Sequence, residues 1–377
     1  MAFDIDFTIC VIVMAVLTGI YVIAGGYMAT AINDFIQGII MLFGICAVIA
    51  AVLQSKGGFT EAMHSLAEVQ DPEATTMNGA FASFLGPDPL NLLGVVVLTS
   101  LGTWGLPQMV QKFYAINSEN AIKKGTIIST LFAVVVSGGC YFLGGFGRLF
   151  SDQVDVVANG FDSIIPTMLS GLSDALIGLV VLLVLSASMS TLSSLVIASS
   201  STLTLDFINK NFIKDMSEKT QVRMIRVLIV VFILISVVIA LIQYNSSVTF
   251  IAQLMGISWG ALAGSFLGPL IYGLYWKKTT KSGCWASFIF GAGTMILVML
   301  CPQIFPAVLQ SPINAGAFAM IASLILVPVV SLLTPKPSDK LVDECFRCYE
   351  APATVASKVA LPDEEETENR EKKQSKK

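Results

Sequence analysis

Apolar residues fill long stretches of the chain, and polar residues gather in the intervals between them. A hydrocarbon core of about 30 Å needs about 20 apolar residues per crossing helix. Nine stretches reach that length when Gly, Ser and Thr are allowed inside them. The nine predicted spans cover residues 8–26, 33–53, 91–111, 126–147, 175–205, 225–243, 248–276, 282–301 and 313–334. The short alternating strands of a membrane β-barrel do not fit this pattern, so it predicts an all-α membrane protein with nine transmembrane helices.

Composition supports this prediction and excludes other classes. The 377 residues are 55% hydrophobic and 13% charged, whereas soluble domains are about 25% charged. A net charge of −4 gives no indication of a nucleic-acid partner. The single histidine, His64, lies in a predicted exposed loop, so we expect neither a catalytic triad with histidine nor a metal cluster of several histidines, and the pair Cys345 and Cys348 is interpreted as free thiols. We therefore expect neither an enzyme nor a bound cofactor.

The basic residues lie on alternate sides of the predicted spans. All but two of the 22 fall in loops 112–125, 206–226 and 277–281 or in the C-terminal tail, and the exceptions are Lys56 and Arg148. Lys and Arg near the ends of spans accumulate on the cytoplasmic side. The pattern predicts a multi-pass protein of the cell inner membrane with its N-terminus outside and its C-terminus in the cytoplasm.

The composition of the chain changes after residue 335, and this change divides the chain into a long apolar part and a short charged part. Residues 1–335 are predicted to form the transmembrane domain. The remainder, 336–377, ends in the charged sequence LPDEEETENREKKQSKK, which cannot bury enough apolar surface to fold alone. We expect it to be a disordered cytoplasmic tail.

The fifth predicted span contains ten Ser or Thr residues between positions 186 and 202. Spacings of three and four give some of its residues a common face, and these are Ala187, Ser190, Thr191 and Ser194, with Ser193 at the edge. In one interpretation the small residues serve helix packing and each hydroxyl bonds the carbonyl one turn back; this is favoured for residues 199–201. In the other, hydroxyl and carbonyl oxygens are ligands for a small hard cation such as Na⁺.

Asp34 is the one good candidate for a functional charge inside a span, at the start of the second one. One interpretation is an acid at a helix N-terminus, stabilised by the helix dipole. The other is an ion path, because ionisable groups inside membranes are costly and mark function. The pair Gly25-Gly26 before it predicts a helix break, and Asn33 and Gln37 supply further oxygens.

The third predicted span is interrupted by Gly102, Gly105 and Pro107. Proline removes a backbone donor and clashes one turn back, and lipid tolerates such a break only where it is buried in protein or lines a cavity. Transporters place substrates at broken helices, although a packing kink is the alternative. The side chains that a substrate there would meet are Thr99, Thr103, Trp104 and Gln108.

Four stretches resemble, in order, signature segments of the sodium/solute symporter family, which includes sodium-coupled proline, pantothenate, sialic acid and sugar transporters. They are GGYMATAINDFIQGIIMLFG, GTWGLPQMVQKFYAI, ALIGLVVLLVLSASMSTLSSLVIASSSTLTLDF and GSFLGPLIYGLYWKKTTKSG. The chain departs from the signatures at Asn33, where Thr is usual, and at Lys112, where Arg is usual. The resemblance extends from about residue 10 to residue 335 and implies the inverted-repeat fold first seen in a leucine transporter.

The resemblance also implies roles for individual residues. Ala187, Ser190 and Thr191 match the family's shared sodium site. A second sodium site, found in some members, is matched by Asp34, Ser190, Ser193 and Ser194. Thr99, Thr103 and Pro107 match substrate positions. The family's proline transporters carry aromatic residues at the first two of these, so the threonines argue against proline as the substrate.

By the same resemblance, the chain begins at the fifth of thirteen family helices. We therefore expect a partial fold, truncated at its N-terminus, that cannot transport unless the missing half is supplied.

The predicted function is sodium-coupled symport of a small organic solute of the amino acid, sugar or carboxylate class. Its expected partners are that solute, Na⁺ and the lipid bilayer. Coupling to protons through Asp34 is an alternative that leaves the hydroxyls without a role. A membrane sensor or scaffold that has lost transport is another. A channel is disfavoured because the sequence offers no ring of acids and no carbonyl filter.

Overall fold

A computed structural model gives the structure of the chain. It describes residues 6–349 apart from 72–74, 114–115, 117, 155–159, 215 and 246–250, with backbone alone at a few helical positions. Within this part all regular elements are helices, which confirms the all-α prediction.

The α-helices are numbered here in chain order. They are α1 (Phe7–Ser55), α2 (Phe59–Glu68), α3 (Pro89–Gly105), α4 (Pro107–Phe113), α5 (Glu119–Gly145), α6 (Ile164–Leu169), α7 (Asp174–Ser201), α8 (Glu218–Asn245), α9 (Ile251–Tyr275), α10 (Lys281–Leu300), α11 (Ala307–Gln310), α12 (Pro312–Leu333) and α13 (Asp339–Phe346). A π-helical segment, Thr202–Ile208, directly continues α7, and a three-residue α-helical turn, Asn209–Asn211, follows it without a number of its own. Short 3₁₀ segments include Phe146–Gln153 after α5.

Eight helical segments of the described chain are long and apolar enough to cross a membrane. The ninth predicted span, 91–111, is divided at Leu106 into α3, with 17 residues, and α4, with 7 residues. The prediction of nine spans is therefore not confirmed as a count, because the Gly and Pro residues shorten this helix below the length of a full crossing.

The first helix, α1, contains two candidate spans, Phe7–Gly25 and Thr30–Ser55. Its helical backbone is continuous, so the prediction that Gly25-Gly26 ends a helix was wrong. Glycine costs a helix only about 1 kcal/mol and keeps its N–H donor. The axis of α1 nevertheless changes direction. Asn33 lies within hydrogen-bonding reach of the Tyr21 hydroxyl, whereas a straight helix would separate these residues by about 18 Å along its axis.

The helices pack in two groups. The first helix group contains α1, α5, α7 and α8, and the second contains α3, α9, α10 and α12. In the first group Val22 of α1 packs with Val196 of α7 and Ile229 of α8, and Ile45 of α1 packs with Val136 of α5. The short helix α4 lies against α7 and thereby connects the two groups.

Glycines at every fourth position allow α9 to approach its neighbours closely in the second helix group. They are Gly256, Gly260, Gly264 and Gly268. A Cβ atom on Gly260 would lie 2.6 Å from the Cα atom of Gly316 in α12, and one on Gly264 would lie 2.8 Å from Cβ of Ala319. Small residues at helix contacts are a characteristic of membrane proteins because close backbones gain van der Waals contacts. These positions leave no room for a side chain.

Two prolines inside helices each leave one backbone carbonyl without its usual N–H donor. In both cases a side-chain hydroxyl of a neighbouring helix donates to the free carbonyl. Pro269 of α9 has no N–H for the carbonyl of Ser265, and Ser287 Oγ of α10 donates to that carbonyl at 3.1 Å. Pro328 of α12 likewise leaves the carbonyl of Leu324 free, and Tyr272 Oη of α9 donates to it at 2.9 Å. Prolines are tolerated in membrane helices where side chains of neighbours restore the lost hydrogen bonds.

The hydrogen bonds around Pro269 form a chain with a defined direction. Ser287 has a single hydroxyl proton, which it donates to Ser265. Ser323 Oγ, 2.7 Å from Ser287 Oγ, therefore donates to Ser287 and accepts the N–H of Gly268 at 2.9 Å. Ser287 and Ser323 are both fully buried, so this chain ties α9, α10 and α12 together in the core of the second helix group.

Arg148 and Lys56, the two basic residues on the side predicted to be outside, stabilise the loop between α1 and α3. Arg148 forms an ion pair with Asp71, with 2.6 Å between Nη1 and Oδ2. Lys56 Nζ donates to the carbonyl of Leu149 at 3.0 Å. The helix α2 packs through Leu66 in the same cluster as Phe146, so this loop is folded against the 3₁₀ segment Phe146–Gln153.

The beginning of the predicted tail is helical. The helix α13 and the turn Arg347–Tyr349 follow the last membrane helix, and Lys277 Nζ lies 5.6 Å from the ring centroid of Phe346. Residues 350–377, which make up most of the segment predicted to be disordered, lie outside the described part. The division at residue 335 stays a prediction.

Candidate functional site

Three oxygens converge on one turn of α7. Ser190 Oγ donates to the carbonyl oxygen of Ala187 at 3.2 Å, and Thr191 Oγ1 donates to the same carbonyl at 2.9 Å. The family resemblance assigns these residues to the first sodium site, and their bonds to the carbonyl one turn back are also the bonds that the packing interpretation predicts. A hydroxyl that donates its proton keeps two lone pairs, so both can coordinate a cation while their hydrogen bonds to Ala187 persist.

This turn of α7 is accessible. Thr191 is exposed, and Ala187 and Ser190 are half-buried. Beside the preceding turns lies a cavity of about 580 Å³ that α6 and α7 line, with Thr167 and Ser170 on one wall and Val181 and Val184 on the other. Residues 177, 181, 184 and 191 share one stripe of α7 by their spacing, so the wall of the cavity continues towards Thr191.

A second polar cluster forms where α1 meets α7, around the hydroxyl of Tyr21. This hydroxyl donates to the carbonyl of Met189 at 3.0 Å. Ser193 and Asn33 lie within hydrogen-bonding reach of it, and Asp34 is near enough to interact with it electrostatically. The bend of α1 therefore brings Asp34 and Ser193 to a shared neighbour.

Within this cluster the residues proposed for a second sodium site are only partly joined. Ser193 is fully buried, and its hydroxyl donates to the carbonyl of Ser190 at 2.9 Å. Ser194 is half-buried and is included in the proposed second sodium site because it lies on the same helix, α7. Asp34 lies in the interior of α1, so the interpretation of it as a residue at a helix start was wrong, because the backbone passes through the glycine pair without a break.

The predicted interruption of the third span is present at Leu106. This residue has an extended backbone, with φ −87° and ψ 115°, because the ring of the following Pro107 disfavours the helical conformation. Leu106 is fully buried, and a Cβ on Gly105 would lie 2.8 Å from the Cα of Ala263 in α9. The break is thus held within protein, as irregular backbone in a membrane requires.

The substrate candidates surround this break but differ in orientation. The hydroxyl of Thr99 donates to the carbonyl of Val95 at 2.8 Å, and that of Thr103 to the carbonyl of Ser100 at 3.1 Å. Gln108 is half-buried, whereas Trp104 and Pro107 are exposed. Since α4 packs on α7, the break lies in a segment that contacts the hydroxyl-bearing helix.

Tyr21 was missed at the sequence level. A tyrosine inside an apolar span usually finds a hydrogen-bond partner for its hydroxyl, and this could have drawn attention to it. Its partners on α7 could not be foreseen, because they depend on the packing of helices that are 168 residues apart in sequence.

A helix broken within the membrane region beside a helix bearing polar oxygens is the arrangement of secondary transporters. The chain matches the model of the Sodium:solute symporter family over residues 1–291. It belongs to this family, as its signature segments predicted. The members are symporters, so the expectation that the protein is not an enzyme is also confirmed.

Named relatives agree with this assignment. The chain is 26% identical over 295 residues to a sodium/pantothenate symporter of Haemophilus influenzae, and the similarity covers 78% of the chain and 59% of that protein. It is 27% identical over 344 residues to a sodium/proline symporter of Staphylococcus aureus, covering 89% of the chain and 64% of that protein. The chain thus spans about three fifths of the length of these curated relatives.

Among solved structures, the chain is similar to a Na⁺-coupled sialic acid symporter in a substrate-bound, outward-open state. The TM-score is 0.64 at 16% sequence identity, and the match covers 89% of the chain and 68% of that protein. This similarity confirms the predicted symporter fold.

Proposed function

We propose that this protein acts in sodium-coupled symport of a small organic solute across the cell membrane. The observation that carries the proposal is the convergence of the Ala187 carbonyl and the hydroxyls of Ser190 and Thr191 on an accessible turn of α7. Uncharged oxygen ligands suit a hard cation such as Na⁺. The relatives named above are sodium-coupled, which supports the choice of ion.

A second sodium ion is proposed to bind near Asp34, with Ser190, Ser193 and Ser194 as further ligands. The carboxylate offsets the charge of an ion away from water, and the Tyr21 hydroxyl is near enough to Asp34 to interact with it electrostatically. The similar sialic acid symporter is described as having a novel Na⁺ site. Proton coupling is the rival proposal here, because Asp34 beside a tyrosine hydroxyl could carry a proton instead.

The solute is proposed to bind at the break between α3 and α4, against Thr99, Thr103 and Gln108, with Trp104 and Pro107 at its margin. Hydroxyl and amide groups suit an amino acid, a sugar or a carboxylate. The contact of α4 with α7 gives ion and solute a shared structural element. Each Na⁺ moving inward gains about 2.3 kcal/mol per 100 mV of membrane potential.

Uptake into proteoliposomes tests this proposal. The purified chain is reconstituted alone and together with the segment of the sodium/proline symporter that it does not span, and counterflow of labelled amino acids, sugars and carboxylates is measured with Na⁺ and with choline in its place. The proposal predicts uptake of one class that requires Na⁺ and is lost in the Ser190→Ala/Thr191→Ala variant. Uptake that is equal in choline, or that responds to a proton gradient alone, contradicts sodium coupling. Absence of uptake by the chain alone agrees with the expectation of a partial fold, whereas absence of uptake of every class when the further segment is also present contradicts the proposal.

The proposed location is the cell inner membrane, with the N-terminus outside and the C-terminal segment in the cytoplasm. Cys345 and Cys348 are exposed and report on this orientation. In intact cells a membrane-impermeant maleimide should leave both unmodified, and permeabilisation should expose both. Modification of this pair in intact cells would reverse the proposed orientation.

A further inference from the structure

Two buried hydroxyls near the end of α7 have no hydrogen-bond partner among the described residues. They are Ser200 Oγ and Thr204 Oγ1, and both side chains are 0% exposed. Ser190, Thr191 and Ser193, by contrast, donate to carbonyls of their own helix. An unsatisfied buried hydroxyl costs about 1 to 3 kcal/mol, so this pair is suited to a polar ligand.

The pair lies on a defined face of α7. Ser193, Ser200 and Thr204 follow one another at spacings of seven and four, which keeps them on one side of the helix, and all three are fully buried. Val196 lies on the same side between Ser193 and Ser200 and packs in an apolar cluster with α1 and α8. The pair is therefore separate from the polar cluster around Tyr21.

The backbone at this pair is also unusual. Thr204 belongs to the π-helical segment Thr202–Ile208, and π-helical turns inside α-helices occur frequently at functional sites because they shift carbonyls and side chains out of the regular pattern. Two residues further on, Asp206 lies at the surface in an ion pair with Lys210, with 2.7 Å between Oδ1 and Nζ. The segment thus leads from a buried hydroxyl pair to a surface acid.

We propose that Ser200 and Thr204 form a further sodium site, occupied in transit between the sites on α7 and the side of the membrane predicted to be cytoplasmic. The inference rests on the proposed function for the direction of flow. Two neutral hydroxyls bind Na⁺ through hard oxygens without a carboxylate in the pair, so binding is weak, as release requires.

Cysteine accessibility tests the site without requiring transport. Ser200→Cys and Thr204→Cys each keep the other hydroxyl, so each weakens the site without removing it, and the Na⁺ concentration is set from the dissociation constant of the variant itself. Their modification by methanethiosulfonate ethylammonium, a small cationic thiol reagent, is followed by mass spectrometry at each cysteine, because the chain has seven of its own. Val327→Cys, at an apolar position that is also 0% exposed, is the control for a buried site without polar neighbours.

We expect both test cysteines to react at least about tenfold faster than the control, because reaction depends on access to the thiol. Na⁺ at about twice its dissociation constant should slow them about threefold relative to choline. Reaction without protection by Na⁺ overturns the sodium assignment and indicates that the hydroxyl pair faces a water-filled cavity instead. Reaction no faster than the control overturns the site altogether.

The same measurement in the Ser190→Ala/Thr191→Ala background separates this inference from the proposed function. Protection that persists there supports an independent site, whatever the uptake assay finds. Protection that disappears there shows that Na⁺ acts through the first site and overturns the inference, while the proposed function stands.

Discussion

The two helix groups use the same residue types in different ways. In the second group the hydroxyls of Ser287 and Ser323 bind partners on other helices. Ser287 donates to the Ser265 carbonyl that Pro269 leaves free, and Ser323 accepts the N–H of Gly268. In the first group Ser190, Thr191 and Ser193 donate only to their own helix, while Ser200 Oγ has no partner among the described residues. A hydroxyl that bonds a partner on another helix stabilises the packing of the two helices. A hydroxyl that donates to its own backbone ties no other helix in place, and it keeps its lone pairs for a ligand.

The two groups therefore call for different interpretations of their hydroxyl-rich helices, one as helix packing and the other as ligand binding. Packing explains α9, α10 and α12, where substitution should damage stability. The proposed function assigns α7 to ligand binding, so substitution there should damage sodium binding and leave stability nearly unchanged. The predictions that follow test this division, from the largest expected loss of stability to the smallest.

Gly260→Val should cause the largest loss. Its new side chain would begin 2.6 Å from the Cα atom of Gly316, so α9 and α12 must separate, and the cost should lie at or above the upper end of the usual overpacking range of about 1 to 3 kcal/mol. The measurement is the temperature at which the detergent-solubilised protein loses its monodisperse peak. Gly273→Val on the same helix is the control, because a Cβ there meets nothing within 4 Å. Equal losses in both variants would show that glycine at position 260 serves no close contact.

Ser287→Ala should cost about 1 to 3 kcal/mol, because it leaves the Ser265 carbonyl buried without a donor. The same unfolding assay applies, with the exposed Ser236→Ala as control, since the Ser236 hydroxyl bonds only its own helix at Phe232. In a Pro269→Ala background the cost should shrink, because that variant restores the backbone N–H for Ser265. An unchanged cost would contradict the role of Ser287 at the proline.

Tyr272→Phe should have a smaller effect, because hydrogen bonds between membrane helices contribute about 0.6 kcal/mol on average and at most about 1.7 kcal/mol. It removes the donor to the Leu324 carbonyl freed by Pro328. Tyr275→Phe, at a residue that is 72% exposed, provides the control in the same assay. If the two variants unfold alike, the tyrosine hydroxyl does not stabilise the proline site.

The sequence predicted the elements of the fold well and their contacts poorly. Hydropathy located the spans, and the local chemistry of Pro107 located the break at Leu106, because both depend on neighbouring residues. The spacing of four between Gly256 and Gly268 is a signal for close helix packing that could have been read in advance.

Other features depend on helices that are distant in sequence. Pro269 and Pro328 are visible in the chain, but their partners Ser287 and Tyr272 follow from the relative placement of three helices. The approach of Tyr21 to Asp34 and Ser193 follows from a bend in α1 that its glycine pair suggested only as a break. The π-helical segment 202–208 has no marker in its residues that would distinguish it from an α-helix.

Binding of Na⁺ to the purified chain tests the central claim most directly. Radioactive ²²Na⁺ binding is compared between the wild type and Ser190→Ala/Thr191→Ala, with unfolding temperatures measured on the same samples. We expect the variant to keep its stability within about 0.5 kcal/mol and to lose Na⁺ binding at the shared turn of α7. Unchanged Na⁺ binding in a folded variant would contradict this expectation.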